Sequence, residues 1–355
     1  MNELPHPGDF ASRLLRWHVS HGRHDLPWQR EPSPYRVWLS EVMLQQTQVG
    51  TVLGYFERFT QTFADVKALA EAPLDEVLHL WSGLGYYSRA RNLHKTAQIV
   101  ASEYGGEFPD QLDALIALPG IGRSTAGAII ALAGNRRAAI LDGNVKRVLA
   151  RHYAIEGWPG TTSVLKQLWA TAESVLPSDD YRNFTQAEMD LGATVCTRRN
   201  PNCEACPLRS DCAARAQGRI DEFPGRRPRR QVPTRSACFL IVSDRNRSIL
   251  LQRRPPNGIW GGLWCFPEIA NEATLPQTMA ELGLRNYVMS GKMAPIPHTF
   301  THFKLLMEPL CIEVGEQVTV VRETDAVCWY NSSEAPQLGL PMPVSRLLNA
   351  LAAQR

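Results

Sequence analysis

No stretch of this chain stays apolar for the ~18 positions that a membrane-spanning helix needs. The longest such run is short, AIIALAG at 128–134. The first 30 residues mix His, Asp, Glu, Arg and Pro and contain no apolar signal-peptide core. These two absences lead us to expect a cytoplasmic protein without membrane attachment. Charge of one sign is also lacking. The 38 Lys and Arg against 35 Asp and Glu leave +3, which by itself names no partner. No repeat of solenoid length is visible. Apolar residues are not scarce: 44% apolar and 21% charged excludes wholesale disorder. At about 150 residues per domain, 355 residues imply two or three domains.

The small charge excess has a place. Residues 221–235, DEFPGRRPRRQVPTR, hold five Arg and two acids, so the rest of the chain balances at 33 against 33. Three Pro and one Gly in the same stretch predict an extended basic linker, either a solvated hinge or one that also touches a polyanion. Before it the pattern is helical. Ser33-Pro34 is a cap followed by proline at the first helical position, and RVWLSEVMLQQTQVGTVLGYFERF runs on from it. Further helices are expected at Asp75–Trp81, Ala90–Tyr104, Asp110–Leu118 and Ser124–Ala133. After the linker, ACFLIVS, SILLQRR, the stretch His298–Val314, QVTVV and AVCWY are β-branched and aromatic, with a helix at 275–284 among them. The reading is an all-α half to about residue 220 and an α+β half from about 236.

Of eight cysteines, four fall within 17 residues: Cys196, Cys203, Cys206 and Cys212. Cys238, Cys265, Cys311 and Cys328 sit among apolar residues and read as small core side chains. Clustered thiols in a cytoplasmic chain point to metal rather than to disulfides. Zinc sites usually show two C-x2-C pairs or a Cys/His mixture. The spacing here, C-x6-C-x2-C-x5-C, suits an iron–sulfur cubane held by four thiolates better, with zinc as the alternative. The TRRNPN loop carries Arg198 and Arg199, either facing solvent or fixed against a phosphate backbone.

Leu118-Pro119-Gly120-Ile121-Gly122 lies between two expected helices. Such a turn either packs the helices or exposes backbone N–H groups to a phosphate. Asp142, in LDGNVKRVLAR, stands where a helix should begin. It reads as a cap, or as a carboxylate that the helix start holds ionised. Glu41 has Val37, Trp38, Leu44 and Gln45 at the i ± 3 and i ± 4 positions. A desolvated Glu has a raised pKa and suits a general acid; the alternative is an ion pair with Arg36. One carboxyl poised to protonate and one kept ionised is the division of labour that breaks glycosidic bonds.

SEVMLQQTQV, GLGYYSRARNL, LPGIGRSTAGAI, LDGNVKRVLAR and the four cysteines together resemble the helix-hairpin-helix DNA glycosylases, and within them the MutY-type adenine glycosylases. The resemblance covers about residues 8 to 345. It implies a mainly α, two-lobe helix-hairpin-helix glycosylase domain over 1–220. A six-helix lobe would span about 30–135, and 1–29 with 136–220 would form the lobe holding a [4Fe-4S] cluster on Cys196, Cys203, Cys206 and Cys212. Residues 221–235 would be the linker and 236–355 a Nudix-like α+β domain.

The resemblance further implies a monomer acting on double-stranded DNA near the nucleoid, with adenine flipped out of the stack from opposite 8-oxoguanine or guanine. Glu41 matches the general acid that protonates adenine on its imidazole side, and Asp142, with Asn144 beside it, the carboxylate that stabilises the cationic sugar. Gln46 and Tyr86 match residues that fill the gap in the duplex; Gly120, Gly122, Ser124, Lys146, Arg198 and Arg199 are the expected backbone contacts. Ser124 stands where the similar endonuclease III pattern has a lysine nucleophile, which implies hydrolysis with little strand cleavage. The alternative is an endonuclease III-like pyrimidine-lesion glycosylase and lyase, with Lys146 as a nearby amine. In the C-terminal half, PEIANEATLPQTMAELGL lacks the R-E-x2-E-E acids that hold magnesium in Nudix hydrolases, so it reads as a recognition module. The matching 8-oxoguanine loop is Phe300-Thr301-His302, where Thr replaces the family's Ser.

Overall fold

The computed structural model describes residues 7–228, 232–315, 326–331 and 338–353. It divides into two compact units, one of 1–71 with 92–229 and the other of 72–91 with 230–355. The helices are α1 (Pro7–His21), α2 (Pro34–Leu44), α3 (Val49–Thr62), α4 (Val66–Glu71), α5 (Leu74–Leu80), α6 (Ser88–Glu103), α7 (Leu112–Ile116), α8 (Arg123–Ala128), α9 (Gly143–His152), α10 (Thr162–Ser174), α11 (Tyr181–Asp190), α12 (Ala213–Ala216), α13 (Leu275–Glu281) and α14 (Met342–Ala353). Among the described residues no helix is long and apolar enough to cross a membrane.

Among its described residues the first unit is built of helices joined by turns and loops, without a strand. Ser33 starts α2 as expected, its hydroxyl accepting from Arg36 N–H, with Pro34 preset for the first turn. Trp38, Leu39 and Met43 are fully buried. One expectation fails here. The run from Arg36 to Phe59 is two helices, not one. It breaks between Leu44 and Val49, where Gln46 takes a φ of 58°. No Gly or Pro marks this break, so composition gave no sign of it. A non-glycine residue in the left-handed region costs about 1–3 kcal/mol and persists only where its surroundings hold it.

Two π-turns extend helices of this unit, Ile129–Ala133 after α8 and Leu191–Val195 after α11. The second brings Gly192 so close to the start of α9 that a Cβ there would lie 2.5 Å from Asn144 Cβ.

The second unit is built on a mixed sheet. Its strands are β1 (Thr234–Ser243), β2 (Ile249–Arg253), β3 (Trp264–Cys265), β4 (Glu268–Ile269), β5 (Tyr287–Lys292), β6 (Ile296–Thr299), β7 (Lys304–Val314) and β8 (Val327–Tyr330). The order is β3-β2-β1-β7-β5, with β4 on β1, β6 on β7 and β8 on β2. Among the described residues only the central β1–β7 ladder is parallel, from Thr234 opposite Lys304 to Ser243 opposite Glu313. Leu240, Val242, Leu310 and Ile312 form its core with Leu275 and Met279 of α13. The strand and helix expectations hold for β1, β2, β8 and α13. His298–Val314 proves to be β6 and β7 joined by a tight turn at residues 300–303. QVTVV lies outside the described residues. Cys238 and Cys265 are buried as expected, whereas Cys311 and Cys328 are only partly so.

Candidate active site

Asp142 caps α9. Its Oδ1 accepts from Asn144 N–H at 2.9 Å and Val145 N–H at 2.7 Å, and its Oδ2 from Asn144 Nδ2 at 3.2 Å. Sequence reasoning read this residue as a cap, or as a carboxylate that the helix start holds ionised, and the capping bonds are present. Burial raises its pKa, while those bonds and Arg147 lower it. On α2, burial pushes Glu41 up to about 8, and the negative charge of Asp142 adds to the shift. The two carboxyls therefore act on one another. The alternative partner, Arg36, is occupied, donating to Pro27 O at 2.7 Å and lying over the Phe56 ring. Of the pair, Glu41 is the acid that keeps its proton near neutrality.

Sequence reasoning missed three further polar residues of this unit. Arg147 donates to Asn144 Oδ1 at 2.8 Å, Gly192 O at 2.6 Å and Cys196 O at 2.7 Å. It thus joins the carboxylate end of α9 to the first cysteine of the loop. The second is Glu188 of α11, buried, with its Oε1 unpartnered. Burial and then the charge of Asp142 drive its pKa well above the ordinary value. The third, Gln186, belongs to a cavity of about 190 Å³ beside α2, lined also by Trp28, Gln29, Val37, His24 and Asn183. Val37 stands one helical turn before Glu41 on α2. Nothing in the local sequence of α11 signals any of this, because the partners are remote in the chain.

Gly120, at φ 77°, turns the chain between α7 and α8, and a Cβ there would meet Asn92 Cβ at 2.8 Å. Thr96 holds the turn by donating to Pro119 O at 2.8 Å. Gly122 caps α8 with open space beside it. Ser124 does not point free: its hydroxyl accepts from Leu141 N–H at 3.0 Å and so fixes the residue before Asp142. Lys146 is half-buried on α9, while Arg198 and Arg199 are exposed.

Cys196, Cys203, Cys206 and Cys212 line one small cavity with Arg151. Arg151, itself buried, donates to Cys196 Sγ at 3.4 Å and Thr197 O at 2.7 Å, and to Phe223 O at 3.0 Å. Among the described residues no three His, Cys, Asp or Glu side chains are arranged around a single metal ion. Four thiols lining one cavity suit the iron–sulfur cubane that their spacing led us to expect. Burial pushes the Cys206 thiol up to about 12, so loading the site must release protons.

In the second unit, Tyr86, Phe300, Thr301 and His302 line a single cavity of about 840 Å³. Tyr86 is 45% exposed at a φ of 49°, under the guanidinium of Arg89. Phe300 stacks on Phe303 at 4.7 Å and contacts Trp260 and His298 at 5.6 and 4.7 Å. Its N–H closes the turn onto Phe303 O, which leaves Thr301 and His302 exposed at the tip.

The chain matches the model of the HhH-GPD superfamily of base excision DNA repair proteins over 39–174, that of the iron-sulfur binding domain of endonuclease III over 196–212, and that of the NUDIX domain over 237–350. It is 39% identical to an adenine DNA glycosylase of Buchnera aphidicola subsp. Acyrthosiphon pisum, over 96% of both chains. It is 34% identical to that of Homo sapiens, over 92% of this chain and 70% of the human one. Among solved structures, a thermostable thymine-DNA glycosylase aligns with a TM-score of 0.55 at 29% identity, over 59% of this chain and 97% of that one. An endonuclease III trapped on DNA aligns at 0.50 and 22% over a similar share, which shows the fold alone.

Proposed function

The chain belongs to the adenine DNA glycosylase family, and from that premise we propose that it excises adenine opposite 8-oxoguanine or guanine by hydrolysis, leaving the strand uncut. The observation that carries the chemistry is the Glu41–Asp142 pair, in which burial and a neighbouring charge hold one proton on Glu41 at about pH 8. The flipped adenine enters the cavity beside α2, where Trp28 offers an aromatic edge and Gln186 an amide. Glu41 gives its proton to the imidazole side of the base, which then leaves neutral. The sugar is left with oxocarbenium character, and the Asp142 carboxylate faces it. Water completes the reaction, since Ser124 supplies no amine and its hydroxyl is bound to Leu141.

The protein carries a [4Fe-4S] site on its four cysteines. A cluster held by Cys196, Cys203, Cys206 and Cys212 would tie the loop together, and the exposed Arg198 and Arg199 of that loop reach the DNA backbone, as Lys146 and the Gly120–Gly122 turn do. Gln46 and Tyr86, each at a positive φ, are the residues proposed to enter the duplex. The protein works as a monomer on duplex DNA in the cytoplasm, at the nucleoid.

Duplexes carrying adenine opposite 8-oxoguanine, guanine or thymine test this reading. Free adenine, a backbone intact until alkali is added, and slow reaction opposite thymine are expected. Strand breaks without alkali would instead support the lyase alternative.

Adenine is a normal base, so selectivity must come from the base opposite. 8-Oxoguanine adds a carbonyl oxygen and a ring N–H to guanine's imidazole side. The hydroxyl of Thr301 and the imidazole of His302 offer partners to that edge, with Phe300 beside them. Each lost hydrogen bond should cost about 1 kcal/mol. Replacing Thr301 and His302 by Ala together is therefore expected to lower the preference for 8-oxoguanine over guanine by about tenfold or somewhat more. Single-turnover rates on both duplexes measure it; an unchanged ratio would move lesion reading to Tyr86 and Gln46.

A further inference from the structure

Asp190, at the end of α11, has no exposed side-chain surface, yet it is an ion-pair partner. Its Oδ2 accepts from Arg23 N–H at 2.7 Å. Its Oδ1 accepts from Arg23 Nε at 2.8 Å, with the terminal guanidinium nitrogen at 2.7 Å, and from Gln186 Nε2 at 2.8 Å. His18 Nε2 stands 3.6 Å from Oδ2. With Arg23 bonded to both of its oxygens, and with its pKa lowered by Arg23 and the nearby His18 against the effect of burial, this carboxylate is ionised and only accepts. That decides a point usually left to assignment, the direction of an amide. Gln186 must turn its NH2 inward to Asp190, and its carbonyl oxygen is left to the cavity it lines.

Of the cavity's other polar side chains, Gln29 and Arg182 are engaged, Asn183 like Gln186 has only its NH2 engaged, and the buried His18 Nε2 has no hydrogen-bond partner. Gln29 uses both ends of its amide, donating to Arg23 O at 2.8 Å and accepting from Leu26 N–H at 3.2 Å. Arg182 donates to Leu132 O and Ala133 O. Asn183 turns its NH2 to Asp180. In adenine, the imidazole nitrogen N7 and the 6-amino group lie along one edge. A base whose N7 meets Glu41 presents its amino group along the same edge. In hypoxanthine the 6-position is a carbonyl oxygen, which would meet the Gln186 oxygen with repulsion.

We propose that Asp190, braced by Arg23, is a positioning residue for base selection: it locks the Gln186 amide with its oxygen toward the 6-amino group of the flipped adenine. The proposal rests on the cavity beside α2 being the base pocket. It involves no contact between Asp190 and the base.

The test compares single-turnover excision of adenine and of hypoxanthine opposite guanine, using full-length protein with its cluster. Asp190→Asn can both accept and donate, so it frees the Gln186 amide to take either direction. The adenine-to-hypoxanthine rate ratio is expected to fall by about tenfold or more, the value of one good polar contact exchanged for a clash. Gln186→Met should lower it similarly. The double variant Asp190→Asn, Gln186→Glu places an oxygen back toward the cavity, with the amide introduced by Asp190→Asn donating to the new carboxylate. It should recover the ratio to within about threefold of the starting protein.

A ratio that falls in Gln186→Met but not in Asp190→Asn overturns the positioning role and leaves the pocket reading standing. A ratio unmoved in both overturns the pocket reading itself. Equal slowing on both bases in Asp190→Asn marks a merely structural residue and also overturns the proposal. If that variant does not fold, the double variant decides: a recovered ratio supports the lock and a lost one refutes it.

Discussion

Glu41→Gln is expected to lower adenine excision by about 10²–10⁴-fold, the usual worth of a general acid, while binding to the adenine-containing duplex survives. The substitution keeps the volume and a hydrogen-bond donor on α2 and removes only the transferable proton. Two features make that proton matter. Burial raises Glu41 first, and the Asp142 charge raises it further, so the acid remains loaded near neutral pH. A departing base without a proton would leave as an anion, in a site where buried charge is costly. Asp142→Asn should be comparably inactive for the complementary reason. Asn still caps a helix well, so α9 should survive while the negative charge that faces the sugar is lost. Single-turnover assays beside a binding titration decide it. Excision by Glu41→Gln near the unmodified rate would show that the acid lies elsewhere, and buried Glu188 would be the next candidate.

Much of this site was legible from sequence, because its chemistry sits in local motifs. The cysteine spacing, the glycines of the 118–122 turn and the Asp142 cap each express a local demand: ligand geometry, a positive φ, orphan N–H groups. What could not be read was set by remote partners. Arg147, Arg151 and Glu188 sit in ordinary helical sequence, and each matters because of residues some 45 or more positions away. The break at Gln46 was invisible for a different reason. It opposes local propensity, and tertiary contacts must hold it there. The same holds for Tyr86, whose GLGYY setting announced a loop but not a strained tyrosine at its tip. Asp142 shows a third limit. Its capping bonds were foreseen, but their contest with burial has an outcome that only the folded surroundings decide.

The pH dependence follows from the same pair and has a definite sign. Glu41 acts protonated, so raising the pH through its value of about 8 should remove activity, by about tenfold for each further unit. Asp142 acts ionised, so activity should also fall at low pH. Because burial raises its pKa, that acid limb should lie above the ordinary Asp value of about 3.9. The result is a bell, and since each carboxyl feels the other, its two limbs are properties of the pair. The alkaline limb is best read from kcat/KM, which reports the free enzyme; bound phosphates would raise the acid further and carry the kcat limb upward. Asp142→Asn offers a check on any residual rate. Removing that charge should move the alkaline limb to lower pH, but only in part, because burial is the larger cause of the Glu41 shift. The measurement is excision of adenine opposite 8-oxoguanine from about pH 4 to about pH 10, with binding followed in parallel. A rate that stays level or rises through about pH 9, with binding intact, would mean that Glu41 does not donate the proton in the slow step.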